Sequence, residues 1–309
     1  MAVNQEWRVF QILQRDVPQK VKIAVIGANG QLGTDLCLVL HNFNIIPFTD
    51  ADIEIADMVS VREAIFKNKP EIIINTAAYV RVDDCEDEKD KAFSVNALGA
   101  RNVAVVAQEL GARLVHMSTD YVFDGEVEPQ TTPYTEFDTP VPLSIYGKSK
   151  LAGDDFVRHS CLRHFIVRSS GLFGVAGSAG KGGNFIETML KLAKERDELK
   201  VVNDQVFSPT YTRDLAQKIA QLMTTDYYGI FHVTNKGACS WYEFTTEILK
   251  MAGLKTPVVP ITSDQYPQKA RRPRYSVLDN YHLRLLGMDD MRPWQEALKD
   301  YLIARGHIV

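Results

Sequence analysis

The sequence lacks the features that mark several classes of protein. Its 309 residues contain only four cysteines, which are widely separated and form no Cys-x-x-Cys motif. This spacing favours reduced thiols in the cytoplasm over a disulfide framework. No group of His, Cys and carboxylate residues has the spacing of zinc ligands, so we expect no catalytic metal. No apolar run approaches the ~18 residues of a membrane span, and a cytoplasmic protein is therefore expected.

A large excess of charge of one sign is also missing. The formal net charge is −4 at pH 7, which argues against nucleic acid or an anionic membrane as a partner. Hydrophobic residues make up 45% and charged residues 24% of the chain, the proportions of a soluble globular protein. The length suits one large α/β domain with a smaller lobe. A small-molecule enzyme fits these bounds, and a homodimer is left open.

A glycine-rich turn follows the first clear strand signal. Residues 21–26 form a short apolar run, after which come Gly27-Ala-Asn-Gly30-Gln-Leu-Gly33 and an apolar helical pattern. This is the strand–turn–helix setting of the dinucleotide fingerprint, in which glycines let the backbone approach a pyrophosphate at a helix N-terminus. Strands alternate with helices as far as residue 170, which predicts a Rossmann-like, doubly wound parallel sheet.

A set of three residues in the middle of the chain is suited to proton transfer. Thr119 stands at the end of an apolar strand, and Tyr146 and Lys150 lie one turn apart on one face of a predicted helix. A nearby ammonium group favours the phenolate and so lowers the pKa of a tyrosine. A threonine hydroxyl can bond to the same substrate oxygen. The trio is predicted to deliver a proton to a carbonyl that is being reduced.

Taken together, these motifs resemble the extended short-chain dehydrogenase/reductase superfamily. Within it they are similar to the dTDP-4-dehydrorhamnose reductase family, from about residue 21 to the C-terminus. The stretches that carry the likeness are Gly30-Gln-Leu-Gly33, Asn75-Thr-Ala-Ala-Tyr79, Val82-Asp83, Ser118-Thr-Asp-Tyr-Val-Phe123, Tyr146-Gly-Lys-Ser-Lys-Leu-Ala-Gly153 and Asn203-Asp-Gln205. The resemblance implies NAD(P)H-dependent reduction of the 4-keto group of a nucleotide-linked deoxysugar, with dTDP-L-rhamnose as product.

The expected cofactor is NADH or NADPH. Asp50 ends the second strand, where a carboxylate usually binds the adenosine ribose, and no arginine follows it, which favours NADH. Asp57 is either a helix N-cap or, by resemblance, a residue near the adenine. The predicted cofactor-binding residues are Gly27, Asn29, Gly30, Gln31, Leu32, Gly33, Asp50, Asp57, Ala77, Ala78, Tyr79, Ser118, Tyr146 and Lys150.

The substrate is expected to be a nucleotide sugar. Dehydratases of the superfamily usually carry Asp-Glu after the catalytic Thr, whereas this chain has Asp120-Tyr121, which disfavours dehydration. Arg272 lies in a basic stretch that is either a solvated loop or a clamp for the diphosphate. The predicted substrate-binding residues are Val82, Asp120, Tyr121, Asn184, Gln205 and Arg272.

One departure from the family bears on function. Gly171 stands where the family usually has a tryptophan against the sugar ring. Two alternatives are therefore kept: another sugar-nucleotide epimerase or reductase, and a non-catalytic NAD(P)-binding protein resembling the regulatory subunit of methionine adenosyltransferase. Asn96 is expected to support the active-site strand, by resemblance, and Trp241 is expected to be a core residue.

The predicted organisation has three parts. Residues 1–20 form an N-terminal extension, residues 21–170 the dinucleotide-binding domain, and residues 171–309 mainly a substrate-binding lobe. Residues 211–237 contain a strand pattern and are expected to return to the first domain.

Overall fold

The computed structural model describes residues 21–125, 132–177 and 183–308, so the predicted N-terminal extension lies outside it. The strands of the described residues are β1 (Lys22–Ile26), β2 (Asn44–Phe48), β3 (Ile72–Asn75), β4 (Arg113–Thr119), β5 (His164–Ser169), β6 (Leu172–Phe173), β7 (Leu199–Val202), β8 (Val206–Phe207), β9 (Thr210–Tyr211), β10 (Gly229–His232), β11 (Cys239–Ser240) and β12 (Val258–Ile261). Six of them form the central sheet, in the order β10-β5-β4-β3-β1-β2, in which every pairing is parallel.

Helices cover both faces of this sheet, and further helices pack in the C-terminal part of the chain. The helices of the described residues are α1 (Gln31–Val39), α2 (Met58–Asn68), α3 (Lys89–Phe93), α4 (Ala100–Leu110), α5 (Ile145–Ser160), α6 (Phe185–Glu195), α7 (Thr212–Leu222), α8 (Trp241–Met251), α9 (Tyr281–Leu285) and α10 (Trp294–Ala304), with a π-helical turn at Ser94–Gly99. No helix in the described part of the chain is long and apolar enough to cross a membrane.

The apolar strands explain why the sheet is buried on both sides. Ile23 and Val25 of β1 pack in one cluster with α1 and α7, whereas Ala24 and Ile26 pack in a second cluster with α2, α4 and α5. Successive side chains of a strand point to opposite faces, so a continuous apolar run fills two layers at once. The Rossmann-like α/β fold predicted from the sequence is confirmed.

The order of the strands creates a switch point. From β1 the chain moves outward to β2, and it then crosses back to place β3 on the other side of β1. In such sheets a crevice forms beyond the carboxyl ends of the strands that flank the reversal, and ligands bind there. The loops after β1 and β3 therefore face one another across a potential binding site.

The C-terminal part has a core of its own. Residues of α6, α8 and α10 pack in a third apolar cluster, and short two-stranded sheets flank it. Strand β10 instead pairs with β5 at the edge of the main sheet. The domain boundary near residue 170 and the return of residues 211–237 stay predictions.

Candidate active site

A cavity of about 730 Å³ opens at the carboxyl edge of the main sheet. Its walls come from the loops after the first five strands and from the third core. The cofactor-binding predictions that line it are Gly27, Asn29, Gly30, Gln31, Leu32, Asp50, Ala77, Ala78, Ser118, Tyr146 and Lys150. Thr119 lines it as well, so the glycine-rich turn and the proton-transfer trio share one cleft.

The glycine-rich turn forms one end of this cavity. Gly27 has a φ of +81°, and a Cβ there would crowd the Thr76 hydroxyl and the Ala77 backbone nitrogen, so glycine is needed for this close approach. Helix α1 begins after Gly30 without a side-chain cap. The buried side-chain oxygen of Gln31 has no hydrogen-bond partner within the described ranges. Free N–H groups and an unpaired acceptor at this point fit a bound dinucleotide.

Three predicted cofactor residues do not line the cavity. Gly33 packs inside the turn. The Asp57 carboxylate caps α2, accepting a hydrogen bond from the Val59 backbone nitrogen at 2.9 Å, as the N-cap alternative expected. The Tyr79 hydroxyl donates to Glu88 at 2.9 Å, so its ring is directed to the surface. Asp57 and Tyr79 therefore have contacts outside the cleft.

Asn96 forms hydrogen bonds next to the cavity, but not with the active-site strand that it was expected to support. Its side-chain oxygen accepts from the Tyr79 backbone nitrogen at 2.7 Å, and its amide donates to the Tyr79 carbonyl at 3.1 Å. The same amide donates to the Ser149 hydroxyl at 3.0 Å. These bonds join the loop after β3 to helix α5, whereas the prediction directed them to the active-site strand.

The proton-transfer trio sits where β4 ends and α5 begins. The Lys150 ammonium, which is 2% exposed, donates to the Met117 carbonyl at 2.6 Å. Burial lowers the pKa of Lys150 to about 8. Burial also raises the pKa of Tyr146, and a hydrogen bond with the Thr119 side chain only partly offsets this. The direction is opposite to the acidification expected from the sequence, and Tyr146 keeps its proton at neutral pH.

A buried charge network lies beneath this trio. The Asp154 carboxylate accepts hydrogen bonds from the Ser118 hydroxyl at 2.9 Å and from Arg168 Nε at 3.2 Å. Its negative charge raises the pKa of Lys150, one helical turn earlier, against the larger effect of burial. Sequence reasoning missed this network, although Asp154 continues the four-residue spacing of Tyr146 and Lys150 on one helical face.

Asp120 joins three parts of the chain. The carboxylate is buried and accepts from the Ser170 hydroxyl at 2.7 Å, the Ser276 hydroxyl at 2.6 Å and the Thr119 hydroxyl at 3.1 Å. Burial raises the pKa of Asp120. Since Ser276 belongs to the C-terminal part of the chain, these bonds tie the ends of β4 and β5 to that part at the edge of the cavity.

Arg272 is already paired. Its guanidinium donates two hydrogen bonds of 2.8 Å to the Asp83 carboxylate, which lowers the pKa of Asp83 to about 2. It also bonds to the Tyr121 side chain, and it does not line the cavity. With 12% of its side chain exposed, Arg272 is not part of a solvated loop. The guanidinium group that was predicted as a possible clamp for the diphosphate is hydrogen-bonded to the Asp83 carboxylate.

The remaining predicted substrate-binding residues all line the cavity, but the side chain of one of them is already hydrogen-bonded. Val82, Tyr121 and Gln205 line the cavity. Asn184 lines it too, but its side chain caps α6 by accepting from the Glu187 backbone nitrogen at 3.0 Å. Within residues 21–125, 132–177 and 183–308, no three His, Cys, Asp or Glu side chains converge to form a metal site.

The unusual Gly171 has a structural reason. Its φ is +54°, and a Cβ built on it would overlap the ring of Phe207. Phe207 in turn stacks on Trp241, with ring centroids 4.0 Å apart. A large side chain at position 171 would need the space that Phe207 fills.

Comparison with known proteins agrees with this geometry. A family model described as "RmlD substrate binding domain" matches residues 21–305. The spore coat polysaccharide biosynthesis protein SpsK of Bacillus subtilis is 44% identical over 92% of this chain and 98% of that protein. A dTDP-4-keto-6-deoxy-D-glucose reductase of Streptomyces niveus is 37% identical over 89% of this chain and 94% of its own length.

A solved structure is also similar. The dTDP-4-dehydrorhamnose reductase of Bacillus anthracis, crystallised in complex with NADP, superimposes with a TM-score of 0.88 at 43% identity, covering 92% of this chain and 99% of that one.

The chain belongs to the RmlD substrate-binding domain family. This confirms the predicted relationship to dTDP-4-dehydrorhamnose reductases and the enzyme class, an oxidoreductase. The NADP bound by the Bacillus anthracis protein agrees with the prediction of NADH or NADPH as cofactor.

Proposed function

We propose that this protein reduces the 4-keto group of a nucleotide-linked deoxysugar with NADH or NADPH. Its favoured substrate is dTDP-4-dehydrorhamnose, which would be converted to dTDP-L-rhamnose in the cytoplasm. The observation that carries the proposal is that Thr119, Tyr146 and Lys150 line the same cavity as the glycine-rich turn. The named activities of the Streptomyces and Bacillus anthracis relatives support a 4-keto sugar attached to dTDP.

The side chains divide the proton chemistry between them. The glycine-rich turn and Asp50 would hold the dinucleotide, and the chemistry that a reduced nicotinamide would supply there is hydride transfer to the carbonyl carbon. Tyr146 gives its hydroxyl proton to the carbonyl oxygen, and Thr119 donates a hydrogen bond to the same oxygen as negative charge develops there. Lys150 is an ammonium below its pKa of about 8, and its charge stabilises the tyrosinate that is left. Burial keeps Tyr146 protonated before the reaction.

Other residues are proposed to position the two ligands. Asp50 would bind the adenosine ribose, because it lies two residues after the end of β2 and lines the cavity. Asp120 and Gln205 would contact the nucleotide sugar. Arg272, paired with Asp83, is better suited to hold the loop at Val82 than to bind phosphate directly, since both of its terminal nitrogens are engaged.

The test is oxidation of NADH or NADPH by the purified protein with each of two sugars, dTDP-4-dehydrorhamnose and dTDP-4-keto-6-deoxy-D-glucose. We expect turnover with the first to exceed turnover with the second, and the product to be dTDP-L-rhamnose. A higher kcat/KM for the second sugar would correct the substrate but keep the reaction. Binding of the dinucleotide without reduction of any nucleotide 4-keto sugar would contradict the proposal.

A further inference from the structure

A buried row of polar side chains runs from the end of β3 to helix α5. Asn75 is the last residue of β3, His116 is its neighbour on β4, and Asp154 lies on α5. Each of the three has only 1% of its surface exposed. The layer around them is apolar, and Ile166, the neighbour of His116 on β5, belongs to its core cluster. Polar groups buried so deeply are unfavourable unless they are matched with one another.

Asn75 sets the direction of the hydrogen bonds in this row. Its side-chain oxygen accepts from the Ala77 backbone nitrogen at 3.2 Å, and its amide nitrogen lies 3.3 Å from Nδ1 of His116. Since an amide nitrogen can only donate, Nδ1 of His116 accepts, and the proton of the neutral ring is on Nε2. Ala77 and Ala78 line the cavity, so the row begins at the wall of the dinucleotide site.

The ring of His116 is neutral at the pH where Lys150 titrates. Burial lowers the pKa of His116 well below its usual range, and the charges of Lys150 and His164 lower it further. His164, on β5, is half-buried, and burial lowers its pKa as well. Burial lowers the pKa of Lys150 only to about 8. His116 therefore keeps a single N–H while the lysine changes its charge.

This N–H and the Asp154 carboxylate complement each other. Nε2 of His116 lies 4.0 Å from Oδ1 of Asp154, and neither atom has a hydrogen-bond partner among the residues that the structure describes. At this distance a buried N–H dipole favours the ionised carboxylate. The other carboxylate oxygen accepts from Ser118 and Arg168. Burial raises the pKa of Asp154, and the contacts with Arg168 and Ser118 oppose that rise.

The charge of Asp154 acts in turn on Lys150, one helical turn earlier on α5. It raises the pKa of Lys150 and so opposes the effect of burial. A lysine that loses this support is charged over a narrower range of pH and stabilises the Tyr146 phenolate less. A change at His116 therefore alters the charge beside Tyr146, although His116 itself does not line the cavity.

We propose that Asn75 and His116 are positioning residues for the reduction. Asn75 fixes the tautomer in which His116 presents its Nε2–H to Asp154. The carboxylate, held ionised in this way, keeps Lys150 charged beside the proton donor. Asn75 also holds the backbone of the loop after β3, so one row of contacts joins the wall of the cavity to the lysine. The inference rests on the proposed function, because it assumes that the lysine assists proton transfer.

The tautomer of His116 can be measured in the unchanged protein. ¹⁵N NMR of the histidine rings distinguishes the two neutral tautomers from the imidazolium, and His116→Gln identifies the signals. We expect the neutral Nε2–H tautomer from about pH 6 to about pH 9. Asn75→Ala, which removes the donor to Nδ1, should give a mixture of both tautomers. An imidazolium or an Nδ1–H tautomer in the wild type, or an unchanged tautomer in Asn75→Ala, would overturn the inference.

Two substitutions of His116 separate the roles of its nitrogens. The amide nitrogen of a glutamine comes close to the position of Nε2 and can still donate to Asp154, whereas the shorter asparagine reaches only the position of Nδ1. The pKa of Lys150 is measured by ¹³C NMR of labelled lysine, with Lys150→Met to assign the signal. His116→Asn should lower this pKa by roughly 0.4 to 1 pH unit, the effect of about one net hydrogen bond to the carboxylate. His116→Gln should stay close to the wild type.

The pH dependence of reduction should follow the same order. The decline of kcat/KM at alkaline pH should begin at a lower pH in His116→Asn than in His116→Gln. His164→Asn, which changes the neighbouring histidine on β5, is the control and should match the wild type. If both His116 variants share one pKa for Lys150 and one pH profile, His116 only fills the core and the inference is overturned.

The outcomes separate this inference from the function it rests on. The NMR measurements need no substrate, so an unchanged pKa of Lys150 in His116→Asn overturns the inference while the reductase activity stands. If that pKa falls as expected but the wild type reduces no nucleotide 4-keto sugar, the proposed function fails, and the role of His116 in reduction fails with it.

Discussion

Replacing Asp154 with asparagine tests whether the buried charge network controls Lys150. Asp154 is 1% exposed and Arg168 is 2% exposed, so both charges of this ion pair are removed from water. The substitution keeps the size of the side chain and removes the charge. Asparagine can still accept a hydrogen bond from the Ser118 hydroxyl, so the change isolates the electrostatic contribution. Arg168, which stays charged, is left buried without its counter-ion.

Two effects of different kinds follow from this geometry. Removing one partner of a buried ion pair typically destabilises a protein by about 3–5 kcal/mol, and we expect the lower end because hydrogen bonds survive. The second effect concerns Lys150, whose pKa of about 8 is set by burial and partly restored by Asp154. Without that negative charge the ammonium is less stable, so the pKa of Lys150 falls further. The charged form that assists Tyr146 is then lost at a lower pH.

The assays are urea denaturation and the pH profile of kcat/KM for reduction. In the wild type, kcat/KM should decline as the pH rises through about 8, where Lys150 loses its proton. In Asp154→Asn this decline should begin at a lower pH. Asp155→Asn is the matched control, since Asp155 is the next residue on the same helix, with 55% of its side chain exposed and paired with Arg158. Equal stability and superimposable pH profiles for the two variants would refute the reasoning.

Three further predictions concern the rest of the site. Tyr146→Phe should lower kcat by roughly 10²–10⁴-fold, the contribution of a positioned acid, with an unchanged Kd for NADPH; near wild-type turnover would exclude Tyr146 as the proton donor. NADH should support a kcat/KM at least equal to that of NADPH, because the Asp50 carboxylate would repel a 2′-phosphate, and a tenfold preference for NADPH would contradict this. Gly171→Ala should lower the free energy of unfolding by about 1–3 kcal/mol more than Gly253→Ala. Both positions have a positive φ, but only an alanine at position 171 would also overlap the ring of Phe207. Identical urea denaturation curves for the two variants would show that Phe207 moves aside at no cost in stability.

Local patterns were enough to predict the fold and to single out three residues, Thr119, Tyr146 and Lys150, that line one cavity. The apolar run before Gly27 and the apolar run before Thr119 predicted strands that the structure places in one parallel sheet. The four-residue interval from Tyr146 to Lys150 predicted a shared helical face, and both residues line the cavity. Such signals are readable because each depends on neighbours within one turn or one strand, where backbone geometry determines which side chains meet.

The electrostatics of the site could not be predicted in the same way. The pKa of Tyr146 is raised although Lys150 is close in sequence, because the depth of burial is a property of the packed molecule. Asp57 and Asn96 show the same limit. Asp57 is seen to cap a helix, and Asn96, expected to support the active-site strand, bonds to the Tyr79 backbone and to Ser149. Neither set of partners is readable from the sequence.

The sequence by itself determined the order of strands and helices, the glycine-rich turn and the positions of Thr119, Tyr146 and Lys150 at element ends, because these follow from short-range backbone preferences. Only the tertiary structure decided which distant groups are paired. Arg272 meets Asp83 across 189 positions of the chain, and Ser276 meets Asp120 across 156. Phe207 takes the space beside Gly171 for the same reason. Contacts of this kind have no local signature, since they depend on how whole elements pack and on which buried polar groups must find a partner.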